Sequence, residues 1–222
     1  LSKKSFLTID KLLENLFLKN KIKSLIQIGA NDGQRFDTIN YFIKTYNPSC
    51  LLVEPIKENF EKLKKNYIKF SKVKFDNSAI TVGDEINYLY KVDTKFLMNY
   101  SDHIPGITSF DKNHLIKHGV KKTHIVKERV ESITINNLIL KHKLFNFDLL
   151  FVDVEGYDAN IVIDFFSNTS LRPIIVLEYI HIKNDIFKNL VNILELNKYI
   201  FFSINENMIC FPEEDKNLIS FN

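Results

Sequence analysis

The chain has 222 residues, 45% hydrophobic and 26% charged, which excludes disorder and collagen-like repetition and fits a folded domain with a sizeable core. Thirty basic against 27 acidic residues leave a net charge of +3, and only Arg35, Arg129 and Arg172 are arginines, so neither nucleic acid nor an anionic membrane is the expected partner. Cys50 and Cys210 cannot build a disulfide framework, and no stretch nears the ~18 apolar residues of a membrane helix, so a reducing cytoplasm is the expected location.

In chain order, the amino end is broken by Lys3, Lys4, Asp10, Lys11 and Glu14 and lacks the apolar centre of a secretory signal. The chain opens on Leu rather than Met, which fits removed residues or a piece of a longer protein. A helix is expected over Thr8 to Lys19, with Leu12, Leu13, Leu16 and Phe17 on one stripe. Leu25 to Ile28 reads as a buried strand ended by Gly29. A helix follows, read from Ile39, Phe42, Ile43 and Tyr46, and then a second buried strand from Cys50 to Val53. A lysine-rich helix turns Phe60, Leu63 and Tyr67 inward, and its wet face and exit (Lys62 to Lys74) read as a solubilising surface.

Val73 to Ile80 is expected as a third strand, with Gly83 to Tyr90 as its hairpin partner at the sheet margin. From 93 to 122 the pattern weakens, apart from a short helical stretch near Asp111 to Lys117. This reads as an excursion inserted over the carboxyl ends of the strands. A strand (Ile125 to Val130), a helix (Thr134 to Leu144), two strongly apolar strands (Phe147 to Val154, Pro173 to Tyr179) with helices after each, and a closing hairpin (Tyr199 to Ile204, Met208 to Phe211) complete the chain. Alternating strands and helices without a linker point to one domain over 1–222, an α/β fold with a mostly parallel sheet covered on both faces.

In such sheets ligands sit beyond the strands' carboxyl ends. After the first strand stands Gly29-Ala30-Asn31-Asp32-Gly33, a tight turn in which two glycines let a ligand approach the backbone. The spacing is neither that of a dinucleotide fingerprint nor that of a P-loop. Glu54 ends the second strand, where a carboxylate can accept both hydroxyls of a ribose. A glycine turn with a ribose acid and no pyrophosphate signature suits S-adenosylmethionine.

These residues resemble the FkbM-type S-adenosylmethionine-dependent methyltransferases in ordered blocks: Ile26 to Gly33, Val53-Glu54-Pro55, Asn77-Ser78-Ala79-Ile80, Ile107-Thr108-Ser109-Phe110, Asp148 to Asp158, Arg172-Pro173 and Leu177-Glu178. The resemblance implies a class I methyltransferase (Rossmann-like) fold, with seven mostly parallel strands, an antiparallel last strand, and the cofactor over the first two strand ends. It also implies that Gly29, Ala30, Asn31 and Gly33 hold the methionine part, that Glu54 holds the ribose, and that Asn77, Ser78 and Ala79 flank the adenine. Family members often have an acid where this chain has Gln27, an amide that can still hydrogen-bond but brings no charge to the α-amino group.

Asp153 and Glu155 stand two apart after the strongest buried strand and are expected to face the same side. Two such carboxylates are costly without partners. Asp153 is expected to take or orient the proton of an acceptor hydroxyl, and Glu155 to position the substrate or Asp153; the alternative is that both cap the next helix. Glu178 completes a set of three oxygen donors, but no further ligand follows from spacing, so no metal is expected. The six histidines are read as lacking the paired spacing of a zinc site. His103 and His114 are taken as solvent-exposed residues of the excursion, with an auxiliary-base role as the alternative, and His181 is given little weight. The expectation is thus O-methylation of a hydroxyl on a small molecule or glycan. The alternative is a non-catalytic binding module of a larger glycan-processing protein.

Overall fold

In the computed structural model, residues 7–83, 87–101 and 103–219 are described. The charged amino-terminal stretch through Lys3 and Lys4, and part of the strand expected over Gly83 to Tyr90, lie outside them.

The first half lays down three strands. Helix α1 (Ile9–Leu18) starts where the Thr8 hydroxyl accepts the Lys11 N–H, and buries Leu12, Leu13, Leu16 and Phe17. Strand β1 (Ser24–Ile28), helix α2 (Asn40–Tyr46), strand β2 (Ser49–Val53), helix α3 (Lys57–Asn66) and strand β3 (Val73–Asp76) follow as βαβ units, with β2 parallel to both β1 and β3. Phe17 stacks on Phe42 and Tyr46 at centroid distances of 5.2 and 5.0 Å, joining α1 to α2.

The chain then leaves the sheet. Instead of one strand from Val73 to Ile80, β3 stops at Asp76 and a separate β4 (Ala79–Ile80) pairs in parallel with β7 (Ser132–Ile133). The break occurs because the Asn77 amide donates to the carbonyls of Glu54 (2.7 Å) and Pro55 (3.0 Å), turning the backbone out of the ladder. Strand β5 (Asn87–Val92) is not the expected margin partner of β3. It pairs antiparallel with β6 (Ile125–Val130), outside the main sheet. The reason is packing: Leu89 and Val130 close on Ile56 and Ala79, above the ends of β2 and β3. Between β5 and β6, short helix α4 (Lys112–Lys117) and its flanks bury Ile104, Ile107, Leu115 and Val120 against Val92, so the excursion carries a small core of its own.

Helix α5 (Ile135–His142) leads back to β8 (Leu149–Val152), α6 (Asp158–Asn168), β9 (Ile174–Glu178), α7 (Asn184–Leu196), β10 (Tyr199–Ile204) and β11 (Asn207–Pro212). The seven-stranded sheet has the order β10-β11-β9-β8-β1-β2-β3, with β11 antiparallel to both neighbours. Alternate strand residues feed two cores. Leu25, Leu52, Leu149 and Val176 meet α1, α2 and α3, whereas Ile26, Val53, Leu150 and Leu177 meet α5, α6 and α7. The chain runs outward from β1 through β2 on one side, and from β8 to β9 on the other. The strand order therefore reverses between β1 and β8, where a crevice opens at the carboxyl ends. No helix among the described residues is long and apolar enough to cross a membrane.

Candidate active site

A cavity of about 470 Å³ lies at this reversal, walled by the residues after β1 (Gly29, Ala30, Asn31), after β2 (Glu54, Pro55), after β8 (Asp153, Glu155) and at the end of β9 (Glu178). Ser78 and Ala79 also line it, with Ile80 and Leu89 as apolar wall. Gly33 and Asn77 do not reach the cavity wall. Asn77 braces the Glu54-Pro55 turn, as described above.

The protein's own packing requires both glycines, and Gly29 also lines the cavity. A Cβ on Gly29 (φ +88°) would stand 1.8 Å from the Asp153 carbonyl oxygen, and one on Gly33 (φ +67°) 2.4 Å from Leu63 Cδ1. Gly29 thus lets β1 and β8 close at the crevice floor, and Gly33 seats the turn on α3. The Asn40 amide ties this turn together, donating to the Gly33 carbonyl and to the Tyr67 hydroxyl.

Glu54 is buried on the cavity wall, its two oxygens accepting the backbone N–H groups of Asn31 and Ile56, each at 2.9 Å. Burial raises its carboxyl to about 7 in spite of these bonds. The Asn59 side chain bonds the carboxylate as well, and the acceptor capacity left over is available to a ribose hydroxyl. The charge missing at Gln27 is met from ten residues on. Gln27 Nε2 donates to Asp37 Oδ1 at 3.0 Å, leaving Gln27 Oε1 and Asp37 Oδ2 buried without hydrogen-bond partners among the described residues. Burial also raises Asp37 above the usual carboxylate value. Both side chains line the cavity, so two orphaned acceptors, one of them a carboxylate, await a cationic donor such as the ammonium of S-adenosylmethionine. With Glu54 and the apolar wall, the residues present fit this cofactor. Asp37 escaped the sequence reading because its pairing with Gln27 follows from the path of the turn, not from a motif.

Strand β8 ends at Val152, so Asp153 and Glu155 are not extended strand residues. Glu155 (φ +58°) and Gly156 (φ +99°) lie in a left-handed turn, and this turn, not strand alternation, brings both acids to the cavity. Helix capping is done by neither. Asp158, fully buried, accepts the N–H groups of Val154 (3.2 Å) and Gly156 (3.0 Å) and holds the turn. The Ser109 hydroxyl donates to the Glu155 carbonyl at 3.1 Å, which ties the Ile107 to Phe110 segment to this turn. Among the described residues the Asp153 carboxylate has no hydrogen-bond partner. Protein surrounds it on most sides while it stays open to the cavity, and this burial, then the charges of Glu155, Asp37 and Glu206, raises it to about 7.

The histidines depart furthest from expectation. His114 is buried rather than exposed, and its Nε2 lies 2.8 Å from Glu155 Oε2. His114 and His118 stand four apart, one helical turn, so α4 brings both rings to one side, a pairing the sequence reading missed. His181, from the loop after β9, completes a trio with ring centroids 4.6 to 5.3 Å apart. Burial, then the neighbouring His114, holds His118 and His181 below the usual imidazole value.

The family model described as the methyltransferase FkbM domain matches residues 27–201. Among curated proteins none matches this chain. Among solved structures it is similar to a methyltransferase FkbM from Methylobacillus flagellatus KT (TM-score 0.49, 11% identity, covering 86% of this chain and 44% of that one). It is also similar to the SAH-bound Podospora anserina methyltransferase PaMTH1 (0.47, 10%, 90% and 76%) and to precorrin-6y C5,15-methyltransferase from Geobacter metallireducens GS-15 (0.42, 12%, 94% and 88%). With the match spanning both halves of the sheet and the crevice between them, the chain belongs to the FkbM family of S-adenosylmethionine-dependent methyltransferases, with the class I fold.

Proposed function

We propose that the chain methylates a hydroxyl oxygen on a small molecule or glycan, as a single catalytic domain working in a reducing cytoplasm. The observation that carries this reading is Asp153: Glu54 is engaged by backbone N–H groups, Glu155 by His114 and Asp158 by its own turn, and Glu178 stands beside His181, while Asp153, in the turn after β8, faces the cavity unpartnered among the described residues. A hydroxyl is a donor that such a carboxylate can orient and whose proton it can take.

When bound, S-adenosylmethionine supplies an electrophilic methyl group on a sulfonium. Glu54 accepts the ribose hydroxyls, Gln27 and Asp37 accept from the ammonium, and the backbone of Gly29, Ala30 and Asn31 bounds the methionine part. Ser78, Ala79 and Leu89 form the wall available to the adenine. Asp153 then holds the acceptor oxygen and receives its proton, while Glu155, fixed by His114, shapes the acceptor's side of the cavity. Displacement at a methyl carbon is governed by alignment, and the base adds typically ~10²–10⁴-fold.

The test is D153N, assayed as S-adenosylhomocysteine released with a panel of hydroxyl-bearing small molecules and oligosaccharides. Turnover is expected to fall by about 10²–10⁴ while cofactor affinity in a calorimetric titration stays within about threefold. Unchanged turnover in D153N sinks the base assignment, and release with amine acceptors alone sinks O-methylation.

A further inference from the structure

We infer that His114, His118, His181 and Glu155 form a binding site for one first-row divalent transition ion, with zinc as the reference case. One ligand atom from each of the four lies within 4.8 Å of all the others. Ligands of a tetrahedral ion with bonds of ~2.0–2.1 Å stand roughly 3.4 Å apart, so these side chains need only close slightly. Three imidazoles and one carboxylate suit zinc and its neighbours, not magnesium or calcium, which prefer oxygen alone.

Without an ion the arrangement is poorly matched. Three rings converge on a single acceptor, Glu155, which serves His114 only. Among the described residues the rings of His118 and His181 have no hydrogen-bond partner, since the Glu178 carboxylate lies 3.8 Å from His181 Nε2. That carboxylate, whose buried Oε2 accepts no hydrogen bond among the described residues, stands where an acid commonly orients a metal-bound imidazole.

The four ligands come from three segments: α4 with its C-terminal end, the turn after β8 and the loop after β9. An ion held among them ties the excursion to the cavity rim. Its route in is the cavity itself, which His118, Glu155 and His181 line. The inference requires nothing of the methyl-transfer reading, because metal uptake is measured without cofactor or acceptor.

The experiment is calorimetric titration of the full chain, stripped with EDTA and verified as folded by circular dichroism, with Zn²⁺ alone and separately with Mg²⁺. One Zn²⁺ per chain and no stoichiometric Mg²⁺ are expected. H118A and H181A should each weaken Zn²⁺ at least about 100-fold, beyond the 10–100-fold typical of losing an outer partner. H124A, whose ring bonds the Tyr100 hydroxyl outside the cluster, should bind as the parent does. Co²⁺ in place of Zn²⁺ should give visible d–d absorption that H118A and H181A abolish. Failure of the folded parent to take up stoichiometric Zn²⁺, equal uptake of Mg²⁺, or Zn²⁺ affinity unmoved in H118A and H181A would overturn the assignment.

Discussion

Glu54 answers to two demands, bracing the backbone at Asn31 and Ile56 and presenting a carboxylate to the cavity, and its proton links them. Its folded value of about 7 lies above the ordinary 4.5, so the folded chain keeps a proton there that the unfolded chain has lost. The stability this contributes is full below 4.5 and declines as pH rises toward 7. Cofactor affinity runs the opposite way, because ribose hydroxyls donate best to the ionised form. It should rise up to about pH 7 and then flatten, with proton release on binding at lower pH. Calorimetry in buffers of different ionisation enthalpy reads both effects, and E54Q should weaken binding and remove the part of the pH dependence centred near pH 7. At Gly29 the constraint is steric. G29A drives a methyl into the Asp153 carbonyl, and an unfolding midpoint in urea should report a loss of at least about 1–3 kcal/mol at unchanged slope. A G29A protein as stable as the parent would show that β1 and β8 do not close there.

At the scale of elements, the sheet is tied to one of its covering helices through a buried acid. Asp76 ends β3 with its side chain almost wholly buried, accepting from Ser78 (2.6 Å) and pairing with His142 (2.6 Å) and Lys141 (2.7 Å) at the C-terminal end of α5. Burial alone would raise its carboxyl, yet the bonds from His142, Lys141 and Ser78 outweigh it and hold the value below the ordinary 3.8. The sign is therefore opposite to that of Glu54: this contribution is present above 3.8 and lost as pH falls through the depressed folded value. D76N should cost about 1.5–3 kcal/mol at neutral pH and flatten the acid limb of the stability curve, measured by urea unfolding across pH. The α5 motif was legible only as a helix. That its last turn meets the end of β3 depends on how the β4–β7 pair turns the chain back.

For the molecule as a whole, the cofactor should act as a stabiliser of the crevice that joins the two halves of the sheet. At about 100 times its dissociation constant, S-adenosylmethionine should add about 2.7 kcal/mol and raise Tm by about 5–10 °C in scanning calorimetry, whereas NAD should leave Tm unmoved. A shift with NAD and none with S-adenosylmethionine would contradict the fit of Glu54, Gln27 and Asp37 to that cofactor. The sequence by itself determined the alternation of buried strands and amphipathic helices, the Gly29 to Gly33 turn, and the acids Glu54 and Asp153 at strand ends. Each of these follows from periodicity and turn chemistry over a few neighbouring residues. Only the tertiary structure decided that β4 and β5 leave the main sheet, that the glycines make room for Asp153 and Leu63, that Asp37 supplies the charge Gln27 lacks, and that His181 meets His114 and His118. These depend on side chains from distant segments meeting through packing, and a local pattern carries no record of which segments close on one another.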